Sequence, residues 1–209
     1  LFPEIDCYLQ IRTAGIGESD LAEKVGHLFE GKEGLVVGYC AHAGMVDLRL
    51  SSMDGEILSE EDLHAIADQC REALGEDFVC LGDRTLAEVI FRELRSLDKT
   101  LAVAESCTGG LLSSQFTEVA GISKVFHGGA VCYHNDAKVQ MVDVPESMLE
   151  QHGAVSEEIA IAMATGASEK FGADYGLSVT GFAGPAGGTQ VLPVGSIFLG
   201  YSSPVGVWA

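Results

Sequence analysis

The stretch Thr100-Leu101-Ala102-Val103-Ala104-Glu105-Ser106-Cys107-Thr108-Gly109-Gly110 decides how this chain is read. An apolar run, Thr100 to Ala104, stops where a helical pattern begins, which predicts a strand, a tight turn and a helix start. Such a turn points free backbone N–H groups and the positive end of a helix dipole outward. Here they are surrounded by the Ser106 and Thr108 hydroxyls, the Cys107 thiol and the Glu105 carboxylate. That combination suits a site for an anion or a developing oxyanion. Gly109 and Gly110 present no Cβ, so a ligand can approach the backbone closely. With no Gly-Lys-Ser/Thr and no GxGxxG, the turn is neither a P-loop nor a dinucleotide fingerprint.

Outward from this turn, a helix pattern with Leu86, Val89, Ile90, Leu94 and Leu97 precedes the strand, and a helix from Gly110 to about Val119 follows it. A strand over Gly129 to Tyr133 comes next, then a short helix near Ala137 to Val142 and a loop. Ser156 caps a long helix that runs to Phe171 and stops at Gly172. A strand over Tyr175 to Val179 leads into the small-residue loop Thr180 to Thr189, and Val194 to Tyr201 is a last strand. Alternating helices and apolar strands predict an α/β fold, a three-layer α/β/α sandwich with a mixed, mostly parallel sheet.

The preceding part of the chain is a separate pattern, with a boundary expected at Asp83 and Arg84: a small α+β domain over 1–83 and the larger domain over 84–209. Cys7 to Arg12 alternates as a strand, and Ser19 is placed to cap a helix through Leu21, Ala22, Val25, Leu28 and Phe29. Leu35 to Ala41 and Val46 to Ser52 form a hairpin around His42, Ala43 and Gly44. Ser59 starts a second helix, with Leu63, Ile66, Ala67, Cys70 and Leu74 inward and Gly75 as its stop, before a strand over Phe78 to Leu81. The order βαββαβ is that of a ferredoxin-like split βαβ module. Nothing in it carries chemistry: His27, His42 and His64 are isolated, and Glu60, Glu61 and Asp62 suit a helix N-terminus.

Composition excludes several functions. The 209 residues are 47% hydrophobic with a mean hydropathy of +0.23, a globular chain expected to bury on the order of 70% of its unfolded surface. No apolar run approaches the roughly 18 residues of a bilayer span, and Leu1-Phe2-Pro3 lacks the basic flank of a signal peptide, so a soluble, cytoplasmic protein is expected. A start without Met and an end at Trp208 and Ala209, straight after a strand-like run, point to a fragment of a longer chain. The net charge is −19, and residues 1–83 alone carry 18 acidic and 5 basic side chains. Such a field repels nucleic acid and anionic lipid. The six cysteines show no CxxC and no metal spacing, and all but Cys107 read as small buried hydrophobes in a reducing compartment.

Ligands of such sheets gather at the carboxyl ends of strands, and three suggestive groups fall there: the Ser106 turn, Tyr133-His134-Asn135-Asp136-Ala137-Lys138, and Thr180 to Thr189. A serine hydroxyl needs a base. Lys138 is the candidate, and it can serve near neutrality only if its pKa falls from about 10.4 toward 7 to 8, which requires burial or a nearby cation. The plainer readings are that Ser106 or Thr108 caps the next helix, that Lys138 is a solvated charge, and that the glycine-rich loop is a long turn. Cys107 is the rival nucleophile, ranked second, since a helix N-terminus lowers a thiol pKa.

Together these segments resemble a known family: the carboxy-terminal domain of the competence/damage-inducible protein CinA, also found as the stand-alone nicotinamide mononucleotide amidohydrolase PncC. The resemblance rests on AESCTGG (104–110), YHNDAK (133–138), HGAVSE (152–157), VTGFAGPAGG (179–188) and Pro193-Val194-Gly195. Residues 1–82 are similar to the middle, KH-like module of CinA. The resemblance implies a mixed five-stranded sheet and hydrolysis of the carboxamide of nicotinamide mononucleotide to nicotinic acid mononucleotide and ammonia. It makes Ser106 the nucleophile, with Lys138 and Tyr133 assisting proton transfer. Glu105, Thr108, Gly109, Gly110, Asn135, Thr180, Gly181 and Gly184 are the expected substrate-binding residues. It implies no metal or cofactor, and a homodimer. Leu192 departs from the family, which usually places Lys ahead of the Pro-Val-Gly segment. The alternative is a non-catalytic nucleotide-binding or scaffold module of a larger protein.

Overall fold

A computed structural model describes residues 8–53 and 58–209; Cys7, placed above in the first strand, lies outside them. The chain divides into two compact units, Leu1–Val89 and Ile90–Ala209. In the first, the order is β1 (Tyr8–Ala14), α1 (Glu18–Val25), β2 (Leu35–His42), β3 (Met45–Ser52), α2 (Glu60–Leu74) and β4 (Phe78–Leu81). The sheet order is β2-β3-β1-β4 with every pairing antiparallel, which is the split βαβ arrangement expected from the sequence. Ser59 caps α2 in a reciprocal box with Asp62, and Leu63, Ile66, Ala67, Cys70 and Leu74 are its buried stripe. The cap of α1 is not Ser19: Gly17 holds that position and no side chain caps the helix.

The second unit holds α3 (Leu86–Leu97), which begins just before it, then β5 (Leu101–Glu105), α4 (Leu111–Thr117), β6 (Phe126–Val131) and α5 (Asn135–Val142). There follow α6 (Glu146–His152), α7 (Glu157–Phe171), β7 (Tyr175–Gly181), β8 (Ile197–Ser203) and β9 (Gly206–Trp208). The loop expected after α5 contains α6, and the chain folds back past β8 as β9. The sheet order is β6-β5-β7-β8-β9. β5 pairs in parallel with β6 and β7, whereas β7–β8 and β8–β9 are antiparallel, so the sheet is mixed and not mostly parallel. The reason lies in the connections. Crossover helices separate β5, β6 and β7, but β7 returns to β8 through a loop and β8 to β9 through a turn, as only antiparallel neighbours can. Apolar patterning reports burial and not strand direction.

Helices cover both faces. A Cβ on Gly128 would meet the ring of Phe171 in α7, and one on the next residue, Gly129, would meet Ser113 in α4. Successive strand residues point to opposite faces, so α7 and α4 lie on opposite sides of the sheet. All five residues of β5 are buried, as a strand sandwiched between layers must be. Small residues let α7 lie close. Ala102 and Ala104 are fully buried in the same core cluster as Ile159 and Met163, and Gly176 and Gly200 meet the Ala164 and Ala160 backbone with no room for a side chain. Gly176→Ala is expected to lift α7 from the sheet at a cost of about 2 to 3 kcal/mol. The measurement is a urea unfolding midpoint, which should fall with little change in slope.

Candidate active site

The parallel strands β5, β6 and β7 end side by side, and ladder bonds continue past them. Ser106 N donates to Val179 O at 2.9 Å, and Cys132 N donates to Glu105 O at 2.7 Å. The first residues beyond β5 and β6 are therefore fixed as firmly as the strands. The turn after Glu105 is held by that residue's own carboxylate. Its Oε1 accepts from Ser113 N at 2.8 Å and Ser113 Oγ at 2.6 Å, and its Oε2 accepts from Leu112 N at 2.9 Å and Gly110 N at 3.1 Å. These are the otherwise unpaired donors of the α4 N-terminus. Burial alone would push the Glu105 carboxyl up, but the Ser113 hydroxyl and the Ser113 and Leu112 N–H groups outweigh it and hold the pKa below its ordinary value. Gly109 and Gly110, at φ +61° and +105°, supply the left-handed backbone that lets the chain turn back onto this carboxylate.

Lys138 is carried on the first turns of α5 and is 1% exposed. Its Nζ donates to Ser106 Oγ at 3.1 Å and to Cys132 O at 3.1 Å. The plainer reading of a solvated charge does not hold. Burial lowers its pKa, against weaker opposing effects from Cys132 and Cys107. Ser106, 7% exposed, uses its hydroxyl for this contact and caps no helix. The structure thus brings the expected nucleophile and base together: a serine, a desolvated amine and a fixed backbone carbonyl.

Other expected residues are placed differently. Tyr133 is 72% exposed and makes no hydrogen bond to Ser106 or Lys138 among the described residues. The Glu105 oxygens are occupied by α4 and are not open to a substrate. The backbone donors of Gly109 and Gly110 are occupied as well, by Ser106 O at 3.1 Å and by Glu105. The Thr180 hydroxyl donates to Ala154 O at 2.7 Å and is buried, tying the end of β7 to the segment before α7. Gly181 completes the β7–β8 ladder opposite Ile197. Asn135 is exposed at the start of α5, and Gly184 is exposed in the loop after β7.

In the turn the N–H groups of Cys107 and Thr108 donate to no backbone oxygen among the described residues and lie beside the Cys107 sulfur, a weak acceptor that a stronger one could displace. Of the expected residues Thr108, Gly109 and Gly110, the two glycines have their N–H groups taken and Thr108 does not, because which N–H groups remain unpaired depends on the path of the Glu105 side chain. Thr108 Oγ1 is buried; it lies close enough to the Glu105 carboxylate to lower its pKa, yet meets no acceptor in hydrogen-bonding geometry. Burial pushes the Cys107 thiol up, against the lowering effect of its own and the Thr108 N–H and of Lys138. The rival nucleophile therefore stays protonated at neutral pH. Among the described residues no group of three or more His, Cys, Asp or Glu could hold a metal ion, and no helix is long and apolar enough to cross a membrane.

Two predictions test this geometry. Glu105→Gln replaces an acceptor of four donors with a group that must turn an amide toward some of them, and is expected to cost about 2 kcal/mol in denaturant unfolding. Lys138 has a folded-state pKa below its unfolded value, so between those two pKa values the unfolded chain binds the extra proton and stability rises with pH. Lys138→Met removes this slope. Wild type should gain stability relative to Lys138→Met as pH is raised toward 10, measured by urea midpoints across the range.

Comparisons with known proteins agree with the fold. The family model described as "CinA C-terminal domain" matches residues 83–209, and that described as "Damage-inducible protein CinA KH domain" matches residues 10–79. A CinA-like protein of Kosmotoga olearia is 42% identical over 191 residues, covering 91% of this chain and 46% of the relative. A CinA-like protein of Parasynechococcus marenigrum is 44% identical over 94% of this chain and 47% of its own length. The chain thus spans about half the length of these curated relatives. The crystal structure of competence/damage inducible protein CihA from Agrobacterium tumefaciens is similar at 42% identity and a TM-score of 0.56, over 58% of this chain and 74% of that one. A CinA superfamily protein from Escherichia coli is similar at 33% identity and a TM-score of 0.56, over 58% and 71%. With one family model covering more than half of its residues and a second covering most of the remainder, this chain belongs to the CinA family.

Proposed function

We propose that this protein hydrolyses the carboxamide of nicotinamide mononucleotide, giving nicotinic acid mononucleotide and ammonia, with Ser106 as nucleophile and Lys138 as the proton carrier. The observation that carries the reading is the 3.1 Å contact between Lys138 Nζ and Ser106 Oγ, made by a lysine that is almost fully buried. Burial lowers the pKa of this amine and so favours the neutral form, which can take a proton. Lys138 accepts the Ser106 proton as Oγ attacks the carboxamide carbon, and the carbonyl electron pair moves onto oxygen. The Cys107 and Thr108 N–H groups are the donors open to that oxyanion. Collapse breaks the C–N bond, the Lys138 proton passes to the leaving nitrogen, and ammonia departs from an ester on Ser106. Water, deprotonated by the same amine, attacks the ester; the bond to Oγ breaks, Oγ regains its proton and the carboxylic acid leaves.

The reading includes a reducing, cytoplasmic setting, supported by the unpaired Cys40, Cys70, Cys80, Cys107 and Cys132. It also includes the homodimer that the family resemblance implies; a light-scattering mass of twice the chain's supports it and a monomer contradicts it. Ammonia release from nicotinamide mononucleotide is the test of activity. Ser106→Ala should reduce it by about 10³ or more, and Lys138→Met by about 10² to 10⁴, with both variants keeping the wild-type circular dichroism. A folded wild-type protein that releases no ammonia overturns the reading.

A further inference from the structure

Between the end of α5, the start of α6 and the outer side of α7 runs a groove of about 390 Å³. One wall is a stripe of α7: Glu158, Ile161, Ala162, Thr165, Gly166 and Glu169. Their spacing, i, i+3, i+4, i+7, i+8 and i+11, is that of a single helix face and extends about 16 Å. It is not the face that seats α7 on the sheet, because Ile159, Ala160, Met163 and Ala167 are the fully buried residues on that side. The other wall is Val142, Asp143, Pro145 and Met148. A Cβ on Gly166 would overlap Val142 O, so α7 meets the end of α5 backbone to backbone and the two walls keep a fixed spacing. Ile161, Ala162 and Met148 stay half-buried along the groove and form an apolar floor.

The charge around this floor has one sign. Glu158 stands at one end of the stripe and Glu169 at the other, Asp143 is on the opposite wall, and no Lys, Arg or His lines the groove. Lys170 pairs with Asp143 at 2.6 Å and His152 with Glu158 at 3.1 Å, whereas the Glu169 carboxylate has no partner among the described residues. An apolar floor with a carboxylate at each end is complementary to a helix whose apolar stripe is flanked by basic residues. A second copy of this chain offers no such helix: apart from the buried Lys138, no helix among the described residues has a Lys or Arg in its first turn.

We infer that this groove docks a basic amphipathic helix of a partner protein, with the partner's apolar stripe on Ile161, Ala162 and Met148 and its Lys or Arg side chains on Glu158 and Glu169. The inference is independent of the amidohydrolase reading, since it uses none of that site's residues. Exposed ion pairs of this kind add little affinity each, so the apolar floor supplies most of the binding and the carboxylates supply orientation, association rate and salt dependence.

The probe is a fluorescein-labelled peptide of about 18 residues, long enough to span the groove as a helix, with leucines on one face and lysines at both ends. It is titrated into the whole chain by anisotropy, beside a peptide of the same composition with the leucines dispersed and one with Glu in place of Lys. The first is expected to bind about tenfold or more tightly than either control, and less tightly as salt is raised. Ile161→Glu puts a charge on the floor and should weaken it about tenfold or more. Glu158→Gln with Glu169→Gln should weaken it about threefold to tenfold. To place the peptide on the wild-type protein, ¹³C-methyl methionine is used, with Met148→Leu and Met45→Leu for assignment. The Met148 resonance should shift on peptide addition and that of Met45, in the first unit, should not. Equal binding of the dispersed peptide, an Ile161→Glu protein that binds as wild type does, or an unmoved Met148 resonance overturns the inference. So does a Met148 resonance that shifts with protein concentration before any peptide is added, which would assign the groove to a second copy.

Discussion

An amine held out of water between a serine hydroxyl and a backbone carbonyl is the constraint on which this site depends. Desolvating an ammonium is costly, and a flexible lysine escapes that cost by swinging to the surface unless the surrounding structure forbids it. Here Cys132 is tied to β5 through its own N–H, Ser106 is tied to β7 through its own, and α5 starts three residues after Cys132. The amine thus meets two acceptors that the sheet has already fixed. Neutralisation lowers the cost, and a neutral amine is what proton transfer from serine requires. Stability and chemistry pull in opposite directions at Lys138, a conflict usual for residues at reacting centres.

The Glu105 carboxylate performs the complementary task. Its charge is buried too, but four donors from α4 and the turn satisfy it, so it stays ionised and welds the helix start to the strand end. This shapes the Ser106 turn and selects its open donors. Once the carboxylate takes Gly110 N and the chain closes Gly109 N onto Ser106 O, the Cys107 and Thr108 N–H groups are what remain, with only the Cys107 sulfur beside them. An acid at the last position of a strand, beside an amine and a nucleophile, resembles a third member of a catalytic group in sequence. In space it is a helix anchor.

The periodicity and cap signals made most of the secondary structure legible. Ser59 with Asp62 and Ser156 with Gly172 end their elements where chemistry says they should, and the hairpin turn expected around His42, Ala43 and Gly44 is tighter by one residue, His42 being the last of β2. The juxtaposition of Ser106 and Lys138 was legible as well, because both follow neighbouring parallel strands and must share one edge. Strand direction beyond β7 was not, since Phe198 and its neighbours are apolar whichever way they run and only the missing crossover helix decides. Nor were the donors of the turn, the exposure of Tyr133 or the use of the Thr180 hydroxyl, each of which turns on one side chain's path and not on residue type.

The titration of Lys138 in the folded protein tests the account most directly. With ¹⁵N- or ¹³C-labelled lysine, and Lys138→Met to assign its resonance, the Lys138 signal should titrate well below the other lysines and below the ordinary value of about 10.4. A Lys138 resonance that titrates with the surface lysines would show a solvated ammonium, and would contradict the buried Ser106–Lys138 pair on which the functional reading rests.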